Sequence, residues 1–414
     1  MIVKNRENRL AIDSGVPVRT LPFAPWPQFA DDEISAACAV LRCGKVNYWT
    51  GEEGLRFEEE FARYLGCRYA VAVANGTVAL ELALRAAGIG PGDEVVVPAR
   101  TFIASASSVA LCGATPVVAD IDRSTQNLTA GTIERVLSSR TRAIIAVHLG
   151  GWPCDMDSIL ALARDRGLKV IEDCAQAHGA MFKGRKVGSI GDVAAFSFCQ
   201  DKIMSTGGEG GMITTNDAAI FEAAWSRKDH GKNYRAMESR TPSPVFRWVH
   251  DAFATNGRMT EMQAAMGRVL LRKLDQRVAA RRENASALTH EFAGIPGLRV
   301  TEPSVYERHA YYKYYAFIRP EELLSGWTRD QVCAAIRAEG IPCSSGVCSE
   351  IYLEKAFPPA LRPGTRLPVA QELGETSLMF LVHSTLEKSD MVDTARAVRK
   401  VMQAATLSMQ KVSA

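Results

Sequence analysis

The sequence predicts an α/β fold in which a mainly parallel sheet lies between helices and is followed by a smaller α+β domain. From residue 69 to residue 215, short apolar runs alternate with stretches of helical periodicity. The runs are continuously apolar, which is typical of strands buried on both faces of a parallel sheet. Beyond residue 260 the regular alternation stops, and this change indicates the smaller C-terminal domain.

Apolar runs bounded by glycine, proline and polar residues predict the strands of the main sheet. In chain order they cover residues 69–74, 94–97, 115–119, 142–147, 168–172, 193–198 and 212–215. Apolar residues spaced three and four apart, with polar capping residues before several of them, predict the helices. These cover residues 31–41, 57–65, 78–87, 103–112, 156–166 and 217–225.

The second half of the chain is less regular. A polar and aromatic stretch at 228–253 indicates a long functional loop. Apolar residues from Met262 to Leu274 predict an amphipathic helix that links the two domains, and a further helix runs through Phe292. The remaining predicted elements are an aromatic strand at 311–318 and helices at 329–337 and 391–402.

The overall composition is that of an ordinary globular protein. The chain has 414 residues, of which 47% are hydrophobic and 23% are charged, so it has enough apolar material for a large core, and its length predicts two domains. Its 49 basic and 46 acidic side chains leave a net charge of +3, without a long run of like charge. We therefore expect small molecules as partners, and neither nucleic acid nor a membrane.

Cysteine usage and the N-terminal residues bear on the compartment. The ten cysteines are scattered without C-x-x-C pairs, which favours reduced thiols and predicts neither a zinc site nor a disulfide framework. Residues 1–9 are charged and lack the apolar region of a signal peptide, and no stretch reaches 18 consecutive apolar residues. We expect a cytoplasmic protein without a bound metal.

A small polar turn, Asn75-Gly76-Thr77, joins the first strand of the main sheet to a helix. The first N–H groups of a helix have no intrahelical acceptor, and together with the Thr77 hydroxyl they would accept a phosphate. The alternative, which this stretch alone leaves open, is that Asn75 and Thr77 only cap the helix.

Other chemically useful residues follow strands at their carboxyl ends, where parallel sheets bind ligands. Asp173 ends one predicted strand, Ser197 closes another, and Phe102 follows a third. Taken singly, Asp173 could cap a turn and His178 could be a structural histidine. The convergence of these residues and the Gly76 turn on one sheet edge favours a ligand site.

Lys202 lies between two predicted buried strands and precedes a cluster of glycines at 207–211. A lysine held there is partly desolvated, which favours its neutral amine and suits a Schiff-base lysine. The alternative is a solvated loop lysine beside a flexible turn. Because the lysine precedes the glycines, the order does not match a phosphate-binding P-loop.

Together these residues match the needs of a pyridoxal 5'-phosphate enzyme, which are a lysine, a carboxylate for the pyridine nitrogen, a phosphate cup and an apolar ring face. In that order the corresponding residues are Lys202, Asp173, Gly76-Thr77 with Ser197, and Phe102. The carboxylate would keep the ring nitrogen protonated, so that the ring can accept electrons from a breaking Cα–H bond. Lys202, released when the substrate amine displaces it, can then move the proton.

From about Leu21 to Met402 the chain resembles the DegT/DnrJ/StrS-type sugar aminotransferases, a family of fold type I. The motifs of the resemblance are Asn75-Gly76-Thr77-Val78-Ala79-Leu80, Gly90-Pro91-Gly92-Asp93-Glu94-Val95, Thr101-Phe102-Ile103-Ala104, Val147-His148-Leu149-Gly150-Gly151, Glu172 to Ala180, Ser197 to Gly211, and Asn256 to Gln263. The resemblance implies a seven-stranded type of sheet. It also implies an N-terminal segment at 1–30, a large cofactor-binding domain at 31–260 and a small domain at 261–414.

The resemblance further implies a role for each site residue. Lys202 would carry the cofactor, Asp173 would contact the pyridine nitrogen and Phe102 would stack on the ring. Gln176 would neighbour the ring hydroxyl, and the phosphate would be held by Gly76, Thr77 and Ser197. Asn256 would reach the phosphate from a second subunit, since members of the family build each site from two chains, and a homodimer is therefore expected.

Two departures from the family pattern bear on substrate choice. Cys199 stands where many members have histidine or tyrosine, and the loop at 232–255 is long. Within that loop Lys232, Tyr234, Arg235, Arg247 and Trp248 could bind a bulky anionic acceptor, or could form a solvated interface.

Three functional hypotheses follow from the resemblance. The first is transfer of an amino group, from glutamate by family analogy, to a nucleotide-linked keto sugar. The second is amination of a carbocyclic ketone such as an inosose or an antibiotic precursor. The third is a regulatory protein that keeps the fold without turnover, and the presence of both Lys202 and Asp173 argues against it.

Overall fold

The computed structural model describes residues 9–238 and 248–406 and has a seven-stranded sheet at its centre. The strands are β1 (Tyr69–Val73), β2 (Glu94–Pro98), β3 (Thr115–Ala119), β4 (Thr141–Val147), β5 (Lys169–Asp173), β6 (Met181–Phe182), β7 (Arg185–Lys186), β8 (Val193–Ser197), β9 (Gly211–Thr215), β10 (Leu298–Arg299), β11 (Glu307–Arg308), β12 (Tyr314–Ile318), β13 (Cys343–Ser344) and β14 (Ser377–Phe380). The central sheet has the order β1-β9-β8-β5-β4-β2-β3.

The helices surround this sheet and the smaller ones. They are α1 (Asp31–Cys43), α2 (Glu53–Leu65), α3 (Gly76–Ala86), α4 (Ala104–Leu111), α5 (Ala130–Glu134), α6 (Met156–Arg166), α7 (Ala218–Lys228), α8 (Tyr234–Glu238), α9 (Glu261–Phe292), α10 (Arg329–Ala338), α11 (Pro368–Thr376) and α12 (Lys388–Ala405). Short 3₁₀ turns occur at Ala11–Asp13, Leu149–Gly151, Pro320–Glu322, Ile351–Leu353 and Pro359–Leu361. None of the described helices has the length and hydropathy of a membrane-spanning segment.

The central sheet is mainly parallel, which confirms the predicted fold class. Only β9 runs against its neighbours β1 and β8, whereas β2, β3, β4, β5 and β8 pair in parallel. The reversal follows from the connection between β8 and β9, which is a loop without a crossover helix. Lys202 lies in this loop.

Each face of the central sheet packs into its own core, because successive side chains along a strand point to opposite faces. Val71 and Val73 of β1 pack on one face with α3, α4 and α7, while Ala70 and Ala72 pack on the other with α2, α6 and α9. Burial on both faces explains why the strands are continuously apolar in sequence.

The smaller antiparallel sheet, β10-β12-β14-β13, lies in the C-terminal part of the chain and packs on a third core. The helix α9 leads to it as one continuous element of 32 residues, where the sequence analysis separated two. Thr260 caps its start by accepting from the Gln263 N–H, and no proline interrupts the helix. A third sheet, also antiparallel, is formed by β11, β6 and β7.

Candidate functional site

A cavity of about 780 Å³ lies at the carboxyl ends of the parallel strands. Its lining includes seven of the residues predicted for the site, which are Gly76, Thr77, Phe102, Asp173, Gln176, Ser197 and Lys202. These residues follow or end four different strands and are far apart in sequence. The parallel arrangement of the strands brings them together, as expected for this class of sheet.

The start of α3 forms one end of the cavity. Asn75 accepts a hydrogen bond from the Val78 N–H at 2.9 Å, so the capping interpretation holds for this residue. The N–H groups of Gly76 and Thr77 have no acceptor among the described residues. A Cβ at Gly76 would lie 2.6 Å from Ser197 Cβ, so glycine is needed for this close approach of helix and strand. Open N–H donors at a helix start fit a phosphate group.

Asp173 ends β5 as a buried carboxylate on the cavity wall. Its Oδ2 accepts from Ser105 Oγ at 3.0 Å, and its Oδ1 accepts from the Ala175 N–H at 3.1 Å. Burial raises the pKa of Asp173 above its ordinary value in spite of these hydrogen bonds. A cationic partner would offset the burial of this charge, and a protonated pyridine nitrogen fits that requirement.

Glu172, the neighbour of Asp173, anchors the end of β5 from the other side of the sheet. Its carboxylate accepts three N–H bonds from residues 188–191 and lies 3.0 Å from His148 Nε2. Burial alone would raise the pKa of Glu172, but these hydrogen bonds outweigh burial and lower it. The buried carboxylate is fully hydrogen-bonded, so its role here is to hold the strand end that presents Asp173.

Lys202 extends into the cavity with its side chain 17% exposed. Its Nζ lies 3.7 Å from Asp201 Oδ1 and 4.9 Å from the centroid of the Tyr312 ring. The Lys202 carbonyl accepts a hydrogen bond from Trp26 Nε1 at 3.0 Å. The N-terminal segment therefore holds the backbone of the loop at the residue whose amine is in the cavity.

Gln176 and Phe102 offer contacts to a planar ring. Gln176 Oε1 accepts from the Gly150 N–H at 2.7 Å, and its Nε2 donates to no described residue. Phe102 is 63% exposed and presents an aromatic ring to the cavity. An amide donor beside a hydroxyl and a ring for stacking both suit pyridoxal phosphate.

The smaller antiparallel sheet contributes a wall that the sequence analysis missed. Tyr312, Lys313 and Tyr315 line the cavity opposite the strand ends, together with the segment at 346–347. Their signal in the sequence is a lysine inside an aromatic run, where a buried strand would have an apolar residue.

Asn256 lies outside the cavity of its own chain. It is exposed, and its Oδ1 accepts a hydrogen bond from the Arg258 N–H at 3.4 Å. Its backbone forms an isolated antiparallel β-bridge with Asp229. Trp248 and Phe253, nearby in sequence, are almost completely exposed.

The loop at 232–255 does not line the cavity in the described residues. Lys232 Nζ pairs with Asp229 at 3.0 Å, and Arg235 pairs with Glu222 at 3.0 Å. Arg247, the remaining arginine of the predicted acceptor site, lies outside the described residues. Lys232 and Arg235, the two described cations of the predicted acceptor site, thus form ion pairs within the chain.

His178 is buried next to the aromatic rings of Phe196 and Phe198, at centroid distances of 5.5 and 5.6 Å. Burial lowers the pKa of His178 to about 3, with Lys202 and Arg281 contributing in the same direction. The ring is therefore neutral at physiological pH, and it packs in the core against these two phenylalanines.

Comparison with known proteins places this cavity in context. The model of the DegT/DnrJ/EryC1/StrS aminotransferase family matches residues 27–399. The chain is 42% identical to a GDP-perosamine synthase of Caulobacter vibrioides, over 88% of this chain and 94% of that protein. It is 36% identical to an L-glutamine:2-deoxy-scyllo-inosose aminotransferase of Streptoalloteichus tenebrarius, over 95% and 97%. An aminotransferase structure from Psychrobacter cryohalolentis superposes with a TM-score of 0.91 at 51% identity, covering 93% of this chain and all of that one.

Proposed function

Because the chain belongs to the DegT/DnrJ/EryC1/StrS aminotransferase family, we propose that it transfers an amino group from glutamate to a keto sugar carried on a nucleotide diphosphate. The enzyme depends on pyridoxal phosphate. The observation that supports catalysis is the cavity itself, in which a lysine, a buried carboxylate and an open helix start converge. The name of the Caulobacter relative supports a nucleotide-linked acceptor.

Each cavity residue has a proposed task. Bound pyridoxal phosphate supplies an electron sink for the breaking Cα–H bond. Lys202 would hold the cofactor through its amine and would move the proton to and from the substrate Cα. Asp173 holds the proton on the pyridine nitrogen. The phosphate is held by Gly76, Thr77 and Ser197. Phe102 stacks on the ring face, and Gln176 contacts the ring hydroxyl.

Transfer through one such site would be a ping-pong reaction, because donor and acceptor would use the same lysine and the same cofactor in turn. We expect enzyme loaded with the amine of glutamate, and freed of excess donor, to react with nucleotide-linked 4-keto or 3-keto sugars. The measurement is the return of the cofactor's original absorbance on addition of each ketone. Loading by glutamate that leaves the absorbance unchanged would reject this donor.

Amination of an inosose is the second candidate, and the inosose aminotransferase that is similar over 95% of this chain favours it. The same loaded enzyme is therefore offered scyllo-inosose beside the nucleotide sugars. Return of the absorbance with the inosose alone would replace the nucleotide-sugar assignment by the carbocyclic one.

We also propose a homodimer in which Asn256 binds the cofactor phosphate of the partner subunit. The exposure of Asn256, close in sequence to the exposed Trp248 and Phe253, supports a partner chain at this surface. In such a dimer, Lys202→Ala in one chain and Asn256→Ala in the other fall in the same site, and the second site keeps both residues.

Mixing Lys202→Ala with Asn256→Ala chains is expected to restore activity at limiting cofactor. Half of randomly paired dimers are mixed, and one of their two sites is intact, so roughly a quarter of the wild-type rate should return. The measurement is the rate after unfolding and refolding the two variants together, compared with each variant refolded alone. If both residues served the same site from one chain, every site in the mixture would keep a defect and no activity would return.

A further inference from the structure

Only two cationic side chains, Lys202 and Lys313, are among the described residues that line the cavity. The acidic lining residues are Glu81, Asp173, Asp201 and Glu209. Both substrates of the proposed reaction are anions, and a carboxylate or phosphate needs a cationic or N–H partner when it leaves water. With Lys202 assigned to the cofactor, Lys313 is the cation that this chain offers to a substrate.

Lys313 forms no ion pair with the residues that the structure describes. Its Nζ lies 4.8 Å from the centroid of the Tyr312 ring, and no carboxylate of the described residues lies within 4.0 Å of it. Asp201, the acid of this wall, accepts a hydrogen bond from the Tyr312 hydroxyl and lies 3.7 Å from Lys202 Nζ. The ammonium of Lys313 is therefore available to a ligand.

The backbone of Lys313 is fixed relative to the cofactor side of the cavity. Its N–H donates to the Gly150 carbonyl at 3.5 Å, and the Gly150 N–H donates to Gln176 Oε1 at 2.7 Å. Tyr314, the next residue, starts β12 and pairs with Phe380 of β14. Because Lys313 directly precedes a paired strand, its amine can be presented at a defined place, as a binding site requires.

The buried positive charge of Lys313 lowers the stability of the folded state. Burial lowers the pKa of Lys313 to about 8, with Arg281 and Lys202 acting in the same direction and Asp201 opposing them. The folded state thus binds this proton more weakly than the unfolded chain. At pH 7, below the folded pKa, the side chain is still mostly charged and the whole penalty on folding is present.

We propose that Lys313 binds the α-carboxylate of the amino donor, an inference that rests on the proposed function. The donor amine takes the position that Lys202 Nζ occupies, and the α-carboxylate carbon is two bonds from that amine. Lys313 and Lys202 flank the same Tyr312 ring, at 4.8 and 4.9 Å from its centroid, so their amines are less than 10 Å apart. A nucleotide diphosphate is separated from its ketone by the sugar ring and lies further from this point.

The test compares holoenzymes of the wild type, Lys313→Met and Lys313→Arg. The first readout is the dissociation constant of 2-methylglutamate, which binds as a donor but has no α-hydrogen to lose. Loss of a charge-assisted hydrogen bond should weaken binding roughly 10- to 100-fold in Lys313→Met, and the arginine variant should recover most of it. The limiting rate of the glutamate half-reaction should be nearly unchanged, so the effect falls on KM and not on kcat.

Donor analogues separate the two carboxylates. Lys313→Met should weaken glutamate and glutamine alike, since both have an α-carboxylate, and should leave isoglutamine, whose α-carboxylate is an amide, unaffected. A loss for glutamate and isoglutamine but not glutamine would place Lys313 on the γ-carboxylate and overturn the proposal. Equal binding of 2-methylglutamate by wild type and Lys313→Met would overturn it as well, as would a loss confined to nucleotide sugars.

The melting temperature distinguishes a binding lysine from a structural one. Replacing a lysine that only supports the structure would lower it, whereas replacing a binding lysine whose buried charge opposes folding would not. Because the buried charge opposes folding, Lys313→Met should melt at the same temperature as the wild type or higher at pH 7. A lower melting temperature together with unchanged donor binding would assign Lys313 a structural role. The assay with keto sugars tests the proposed function separately. Wild-type enzyme that binds the donor but aminates no keto sugar would refute the proposed function, whereas the conclusion on donor binding by Lys313 would not change.

Discussion

Lys202→Ala is expected to reduce amino transfer by at least about 10⁴-fold and to abolish covalent attachment of the cofactor. Proton transfer by a positioned side chain contributes roughly 10²–10⁴-fold, and the variant also loses the covalent route. Lys202 is suited to both tasks because its amine lies in the cavity while its carbonyl is held by Trp26. The measurements are the turnover rate and peptide mapping after borohydride reduction, which makes the reversible bond between lysine and cofactor permanent.

Two other lysines provide the controls for this experiment. Lys186 also lies over a tyrosine ring, with Nζ 3.3 Å from the Tyr64 centroid, and burial lowers its pKa, but it does not line the cavity. Lys186→Met should therefore keep full activity and cofactor attachment. Lys313, the second lysine of the cavity, is the other residue to which the cofactor could attach. A reduced adduct on Lys313 would contradict both the assignment of Lys202 to the cofactor and that of Lys313 to the donor.

The sheet and one side of the site could be predicted from sequence because their signals are local. A strand buried on both faces must be continuously apolar, as in Val193–Ser197, and a ligand residue at its carboxyl end stands next to it in the chain. Asp173, Ser197 and Phe102 were found in this way, without knowledge of which strands pair.

The opposite wall could not be predicted because it depends on contacts between distant parts of the chain. Tyr312 meets Asp201 across 111 residues, and Trp26 reaches the Lys202 carbonyl across 176. Such contacts depend on how distant segments of the chain pack against one another, which periodicity does not encode. The same applies to Ser105, which lies 68 residues from its partner Asp173 and is an ordinary helix residue in the sequence.

The neighbourhood of Lys313 shows why the sequence of an aromatic strand did not reveal a cavity-lining residue. Tyr314 is buried in the core of the smaller sheet, whereas Tyr312, Lys313 and Tyr315 line the cavity. The strand thus serves a core and a binding surface at the same time. In the sequence, this double role is indicated by a single lysine within an otherwise apolar run.

Asp173→Asn is expected to lower turnover about a thousandfold while leaving the fold intact. A carboxylate in contact with a protonated ring nitrogen contributes on the order of 4 kcal/mol at an effective dielectric of about 20, which corresponds to roughly a thousandfold in rate. The amide can still accept from the Ala175 N–H, and it removes a carboxylate whose pKa burial already raises, so stability should not fall. The measurements are kcat, the dissociation constant of the cofactor and the melting temperature.

Ser105→Ala is the matched comparison for this variant, since it removes the 3.0 Å hydrogen bond to Asp173 Oδ2 but keeps the charge. Loss of one such bond is worth about 1 kcal/mol, so a decrease of only about fivefold is expected. The ratio between the two variants then isolates the charge of Asp173 from its positioning. A cofactor-bound Asp173→Asn enzyme with near-normal kcat would show that another group holds the ring proton, whereas equal losses in the two variants would show that the orientation of the carboxylate matters and its charge does not.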